Sequence, residues 1–372
     1  MLAIVPTGSY AQNIVISADE FDGDLYGDIT SFSNPGFSVT DLPDGGPGVE
    51  TGNVDANFSN SGLIAGGDAG VYVGGDVGGS FSNSGSIFSD DYGYGVLIDG
   101  NVVGDFTNRG DVTVFYGYTG VQIEGNVGGT FNNSGNIISG VDNDPSNYEY
   151  YGVYVEGNIG GDFINSGNIS SEYYTGVHLE QNVLGSFTNS GNISGNYYGV
   201  YVWGCIGGDF TNSGNVTVDT DEVGPGSYGG VFIAIDLDGN FTNSGNVEVN
   251  NARYYGVAIG GELGGDFTNS GNIIYDGDTR GDAKYYAVLI DGNVGGNFTN
   301  SGLIETDFGY YGVMVANNVE GDFTNSGNIS SEYYTGVYIG ESILGSFTNS
   351  GNIVSGTAAT EFSYYGLFVT DN

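Results

Sequence analysis

The chain has 372 residues, with 45 Asp and Glu against 4 Lys and Arg, and a net charge of −41. A surface so poor in cations cannot neutralise a phosphate backbone, which excludes nucleic acid and anionic membrane surfaces and leaves divalent cations, basic proteins and neutral glycans. The 71 glycines come with only 6 prolines, which excludes a collagen-like repeat, and 29 Tyr with 21 Phe exclude a disordered low-complexity chain.

Residues 1–11 read as the end of a secretory signal: Leu2 to Val5 are apolar, and Ser9-Tyr10-Ala11 matches a small-x-small cleavage site. The positively charged start is missing, and the alternative is an ordinary N-terminal strand. Residues 12–53 are expected to form a cap or first coil, with Gln12-Asn-Ile-Val-Ile-Ser17 as a strand. Cys205 stands alone and cannot form an internal disulfide, a usage compatible with bacterial export. No stretch approaches the 18 apolar residues of a transmembrane helix.

From residue 54 to 372 one phrase recurs, F-T-N-S-G-N-I. Its Phe falls at 58, 81, 106, 131, 163, 187, 210, 241, 267, 298, 323 and 347, at intervals of 23 to 32 residues. Such a period marks a solenoid whose units pack on their neighbours. The block from Val153 to Ile169 shows the unit: Val153/Val155 and Phe163/Asn165 alternate with period two, so they are strands, and no helical stripe is present. Each coil is expected to carry about three short parallel strands with glycine bends. Gly stands four residues after every Phe, at a corner where a side chain would clash or φ must be positive. The Val, Ile and Phe columns form the core, and Asn two after each Phe, such as Asn189, Asn212, Asn243 and Asn269, forms an interior amide ladder. The fold class expected is all-β, a right-handed parallel β-helix of about 12–13 coils.

Insertions fall only between the last Ile of a block and the next Val, with 6 residues after Ile64 but 15 after Ile137 and 14 after Val216 and Ile273. They project from one side, commonly the binding side. Tyr occupies the position three before the first Val in ten of twelve coils, including Tyr118, Tyr150, Tyr174, Tyr197, Tyr254, Tyr285, Tyr310, Tyr334 and Tyr364. This main column is expected to stack on itself and seal the corner. The accompanying tyrosines, Tyr151, Tyr173, Tyr198, Tyr255, Tyr286, Tyr311, Tyr333 and Tyr365, are the candidate interaction surface for a sugar or a neighbouring rod.

Asp276, Asp278 and Asp282 have the spacing of a weak calcium loop, but Arg280 stands at a ligand position and the closing Glu is absent. Further acidic clusters are Asp142-Asn-Asp144 and Asp219-Thr-Asp221-Glu222, and Arg280-Gly281-Asp282 is an integrin-type tripeptide. Thr follows the Phe in eight coils with Ser two further on, an outward hydroxyl array of the sort found in ice-binding solenoids.

Repeats of the form N-S-G-x-I, then a glycine-rich gap, Y-G-V-x-V and G-x-V-x-G, resemble the passenger regions of bacterial autotransporter proteins over residues 50–372. The resemblance implies a parallel β-helix displayed outside the cell or on the bacterial surface, as an adhesin or a stalk. Catalysis finds little support: His178 is the only imidazole and points outward, no G-x-S-x-G elbow occurs, and the basic residues are scattered. The expectation is a non-catalytic structural or adhesive solenoid without cofactor, bound to other copies of itself or to a host glycan or protein. The alternative is a head-to-tail extracellular filament, because the sequence stops inside a block at Leu367-Phe-Val369. A glycan-active β-helix enzyme and an ice-binding protein are the more distant readings.

Overall fold

In a computed structural model, residues 13–16, 27–41, 45–90, 93–140, 150–219, 228–277, 286–307, 309–356 and 365–370 are described. They fall into two compact units, Met1–Leu184 and Gly185–Asn372. Each unit is a parallel β-solenoid, and the described residues contain strands but no helix.

Each coil gives one strand to each of three parallel sheets. In the first unit the Phe sheet runs from Asn13–Val15 through Ser31–Asn34 and Phe58–Asn60 to Phe163–Asn165. The Ile sheet runs from Ser38–Asp41 to Asn168–Ser171, and the Val sheet from Val49–Thr51 to Thr175–Leu179. In the second unit the same sheets run from Phe187–Asn189 to Phe347–Asn349, from Asn192–Gly195 to Asn352–Ser355, and from Tyr198–Val202 to Tyr365–Val369. Insertions in the gap leave the register of the Phe sheet untouched, as Asn212 still pairs with Asn243 although 31 residues separate them. The gap end of the Ile sheet, in contrast, shifts register between Val249 and Ala252.

The period-two alternation explains the core. Phe and Asn of F-T-N point inward while Thr points out, so Phe241, Val247 and Val257 are fully buried. The Phe rings stack from coil to coil, at 4.5 to 4.9 Å with nearly parallel planes between Phe32 and Phe163. Phe32 belongs to this column although its repeat, Phe32-Ser-Asn34-Pro-Gly36, is too degenerate to recognise. Solenoid stacking therefore begins inside residues 12–53. Burial of each Phe stabilises the coil by roughly 1.5–3 kcal/mol.

The buried Asn column is satisfied as the sequence predicts. In the first unit Asn34, Asn60, Asn83 and Asn108 each donate from Nδ2 to Oδ1 of the next coil's Asn at 2.8 to 2.9 Å. In the second unit the relay runs from Asn189 to Asn349 at 2.8 Å. Asn34 also donates to the carbonyl of Phe37, and the later amides donate to the carbonyl of the Gly two residues on, as Asn243 does to Gly245. That Gly is required by close approach. A Cβ on Gly271 would collide with the carbonyl oxygen of Gly245, and one on Gly110 with that of Gly85. Neither glycine has positive φ. The two alternatives left by the sequence are thus resolved in favour of the clash.

A second relay lines the corner before the Phe. In the second unit Oδ1 of Asp209 accepts from the Asn240 backbone N–H at 2.8 Å, and Oδ1 of Asn240 accepts from that of Asp266 at 2.8 Å. In the first unit Asp105 accepts in the same way from the Thr130 backbone N–H at 2.9 Å. In a separate column, five residues before Phe81, Asp76 accepts from the backbone and side-chain N–H groups of Asn101, which hold its carboxyl below the usual carboxylate range. These acids satisfy backbone donors of the following coil.

Candidate functional site

The outer face of the Val sheet and its two corners change from coil to coil, as does the outward column of the Ile sheet, with Phe88, Thr113, Ile138 and Ser170. The outward position of V-x-V holds Tyr72, Leu97, Gln122, Tyr154 and His178 in register in the first unit. In the second unit it holds Tyr201, Phe232, Ala258, Leu289, Met314, Tyr338 and Phe368. The two corners are the gap side, where the tyrosines stand, and the far side just after the strand.

On the gap side the main tyrosine column stacks on itself. Tyr228 and Tyr254 lie 5.2 Å apart at 11°, and Tyr310 and Tyr334 lie 4.4 Å apart at 10°. Tyr285 and Tyr364 lie outside the described residues. Of the accompanying tyrosines, Tyr198, Tyr255, Tyr286, Tyr311 and Tyr365 form one column in the second unit, interrupted by Gly229 and Thr335. Tyr151 holds the same position in the first unit, where its neighbour is Thr175. Tyr173 and Tyr333 do not join the column, because each is followed by a further Tyr and then by the Thr that fills it.

Ring orientation decides what this column offers. Tyr255 and Tyr286 stack at 19° and Tyr286 and Tyr311 at 7°, so their faces meet each other and their edges point outward. Tyr151 and Tyr286 are buried, and burial pushes the Tyr286 hydroxyl well above its ordinary range. Tyr286 packs with Ala258 and Leu289, and Phe232, Tyr255, Tyr311 and Met314 cover that cluster. Of the predicted surface residues, Tyr365 is the exposed one, at 45%. A run of open ring faces for a sugar chain is not what this column presents.

Asp276 is half-buried and stands in register with Asp307; burial, then Asp307 and Glu332, push its carboxyl up. Asp278, Asp282 and the Arg280-Gly281-Asp282 tripeptide lie outside the described residues, as do Asp142, Asp144, Asp221 and Glu222. Among the described residues no three His, Cys, Asp or Glu side chains gather as a metal site.

His178 takes the predicted outward position, but Tyr151 and Tyr154 close on it edge-on at 4.9 and 5.4 Å. Its Nε2 lies 3.0 Å from Glu180. Burial nevertheless outweighs the carboxylate and pushes the imidazole down to about 4. In the same unit the Tyr72 hydroxyl donates to Asp99 at 2.7 Å, which raises it to about 12. Glu124 is raised by burial and by Asp99 and Glu156, the carboxylates of its own corner.

On the far corner the second unit differs. Where the first has Gly52, Gly74, Asp99, Glu124, Glu156 and Glu180, the second has Trp203, Ala234, Gly260, Asp291, Ala316 and Gly340. Trp203 is 53% exposed and stacks at 22° on Tyr201, with ring centroids 6.0 Å apart. Tyr201 is held between Tyr198 and Phe232, at 4.8 and 5.4 Å. Ile235, 45% exposed, follows one coil on. Reasoning on repeats passed over Trp203 because it drew attention to what recurs; the available signal was the chain's only Trp at a position otherwise small or acidic.

No protein-family model, curated protein or solved structure matches the chain.

Proposed function

We propose that this protein is a non-catalytic structural and adhesive β-solenoid, displayed outside a bacterial cell in the manner of an autotransporter passenger region. The observation that carries the reading is the division of labour within each coil. Interior Phe and Asn columns repeat unchanged through both units, so the coil is a scaffold, and the outer Val face and its corners vary from coil to coil. A reactive centre imposes a local break in such a pattern. The breaks on the second unit's Val face and far corner are largely aromatic and apolar, which suits contact. The net charge of −41 favours neutral or basic partners and disfavours phosphate-rich ones.

The reading is tested by displaying the chain on a bacterium stripped of its own adhesins and scoring attachment to cultured cells. Attachment several-fold above the empty display strain is expected. Attachment equal to that strain overturns the adhesive part. Electron microscopy of the purified chain is expected to show separate particles, and end-to-end filaments would replace adhesion with self-assembly as the leading role.

A further inference from the structure

We propose that Trp203 is a stacking platform for one ring of a neutral oligosaccharide, an inference that rests on the adhesive reading and gives it a ligand class. The indole is positioned rather than loose. One face lies on Tyr201, which is wedged between Tyr198 and Phe232. The next residues in the Trp203 column are Ala234 and Gly260, so no following ring covers it as the tyrosines on the gap side cover one another. Ile235, in the next coil, is a second exposed apolar side chain.

Area and charge select the occupant. The exposed parts of Trp203 and Ile235 together offer on the order of 200 Å², whereas a stable protein interface takes about 800 Å² from each partner. A single sugar ring, with an apolar C–H face and hydroxyls around its rim, matches an aromatic patch of that size. Methylated ammonium groups are held by several rings arranged as a cage, and here the indole is backed by one ring. The charge of −41 opposes sialylated or uronic sugars. The platform therefore takes an uncharged hexose or N-acetylhexosamine.

Trp203 is the only Trp in the chain, so its emission reports this site alone. The full chain is titrated with maltohexaose, cellohexaose and N,N-acetylated chitohexaose, and with a sialylated oligosaccharide and tetramethylammonium as competitors in class. A saturable blue shift with at least one neutral hexasaccharide is expected, with no response to the other two probes. Tyr201→Ala, checked for unchanged melting, is expected to weaken binding roughly tenfold by unseating the indole. Trp203→Ala is expected to abolish retention on the immobilised sugar. Emission unmoved by all three neutral sugars, or moved by tetramethylammonium or the sialylated probe alone, overturns the platform. The display assay separates the two readings. If the parent attaches but its emission is unmoved by the neutral sugars, the platform falls and adhesion stands. If the parent does not attach but the emission shift is present, adhesion falls and the sugar site stands.

Discussion

The two units have the same inside and different outsides. In both, Phe rings stack at about one strand spacing and buried Asn amides relay from coil to coil. Outside, the first unit's far corner runs Gly52, Gly74, Asp99, Glu124, Glu156 and Glu180, where the second places Trp203, Ala234, Gly260, Asp291, Ala316 and Gly340. The column after the Phe is mixed in the first unit, with Ser59, Ser82, Thr107, Asn132 and Ile164, and uniform in the second, from Thr188 to Thr348. Close packing holds the Phe and Asn columns to one solution in every coil, although the inward column of the Ile sheet takes Ser89, Val114, Ser139, Val218 and Tyr275, whereas solvent accepts many. Interior identity is therefore a statement about physics, and exterior difference is where function and drift both act.

The strongest way to break this comparison is to damage the shared interior in each unit separately. Gly110→Val and Gly271→Val each force a Cβ into the carbonyl of the preceding coil's Gly. Each is expected to cost about 3 kcal/mol or more, seen as a lowered denaturation midpoint with hydrogen-exchange protection lost around the altered coil. Equal losses in both units support a common interior. A tolerated Gly271→Val would show that the corner relaxes and that close approach does not explain this glycine.

A smaller effect is expected from the amide ladder. Asn108→Leu and Asn243→Leu remove a donor from one neighbour and an acceptor from the other, and each leaves buried polar atoms behind. The expected loss is roughly 2–4 kcal/mol at each site, again by denaturant titration. A loss confined to one unit would mean that its ladder is compensated, and the interiors would then differ after all.

The parts legible in the sequence were those fixed by burial. Alternation placed Phe163 and Asn165 inward, and the identity of the column made the Asn relay predictable because an isolated buried amide is costly. What could not be read was orientation. Tyr255 and Tyr286 are exposed by position, yet their rings turn face to face, and position alone does not fix the rotation about χ1 and χ2. His178 was correctly placed outward but not seen to be enclosed, because the enclosing rings come from Tyr151 and Tyr154, one coil away. Phe32 escaped because Pro35 and Gly36 break the phrase while leaving the ring stacked. Trp203 was visible as a letter, but not as a platform until Tyr201 was seen beneath it.

His178 sharpens the comparison from the outer face, since the second unit has no titrating counterpart in that column. Its imidazole is held at about 4 against an ordinary 6.5. Between those values the unfolded chain takes up a proton that the folded chain refuses. Stability is then complete above pH 6.5 and falls as pH drops through the window. The loss expected by pH 4 is roughly 1–3 kcal/mol. His178→Gln is expected to show a flatter acid limb over that range than the parent, and Glu124, whose carboxyl is raised, contributes equally to both and cancels. Parallel acid limbs in the two proteins would show that Glu180 keeps the imidazole at its ordinary value.

The smallest effect is expected where the units differ most plainly. Thr268 lies between Thr242 and Thr299 in the uniform column, and the matching place in the first unit carries Asn132. If the threonines are a solvated β-face, Thr268→Asn imports a solution that the first unit already uses, and stability is expected to change by no more than about 0.5 kcal/mol. Sugar-dependent Trp203 emission should also be unchanged, because Thr268 is on the Phe sheet and Trp203 follows the Val sheet. A loss above about 1 kcal/mol would require a coupling along the column beyond ordinary cross-strand pairing. The uniform row would then be a structural ladder of the second unit, and the rule that only inward columns are fixed by packing would fail on this face.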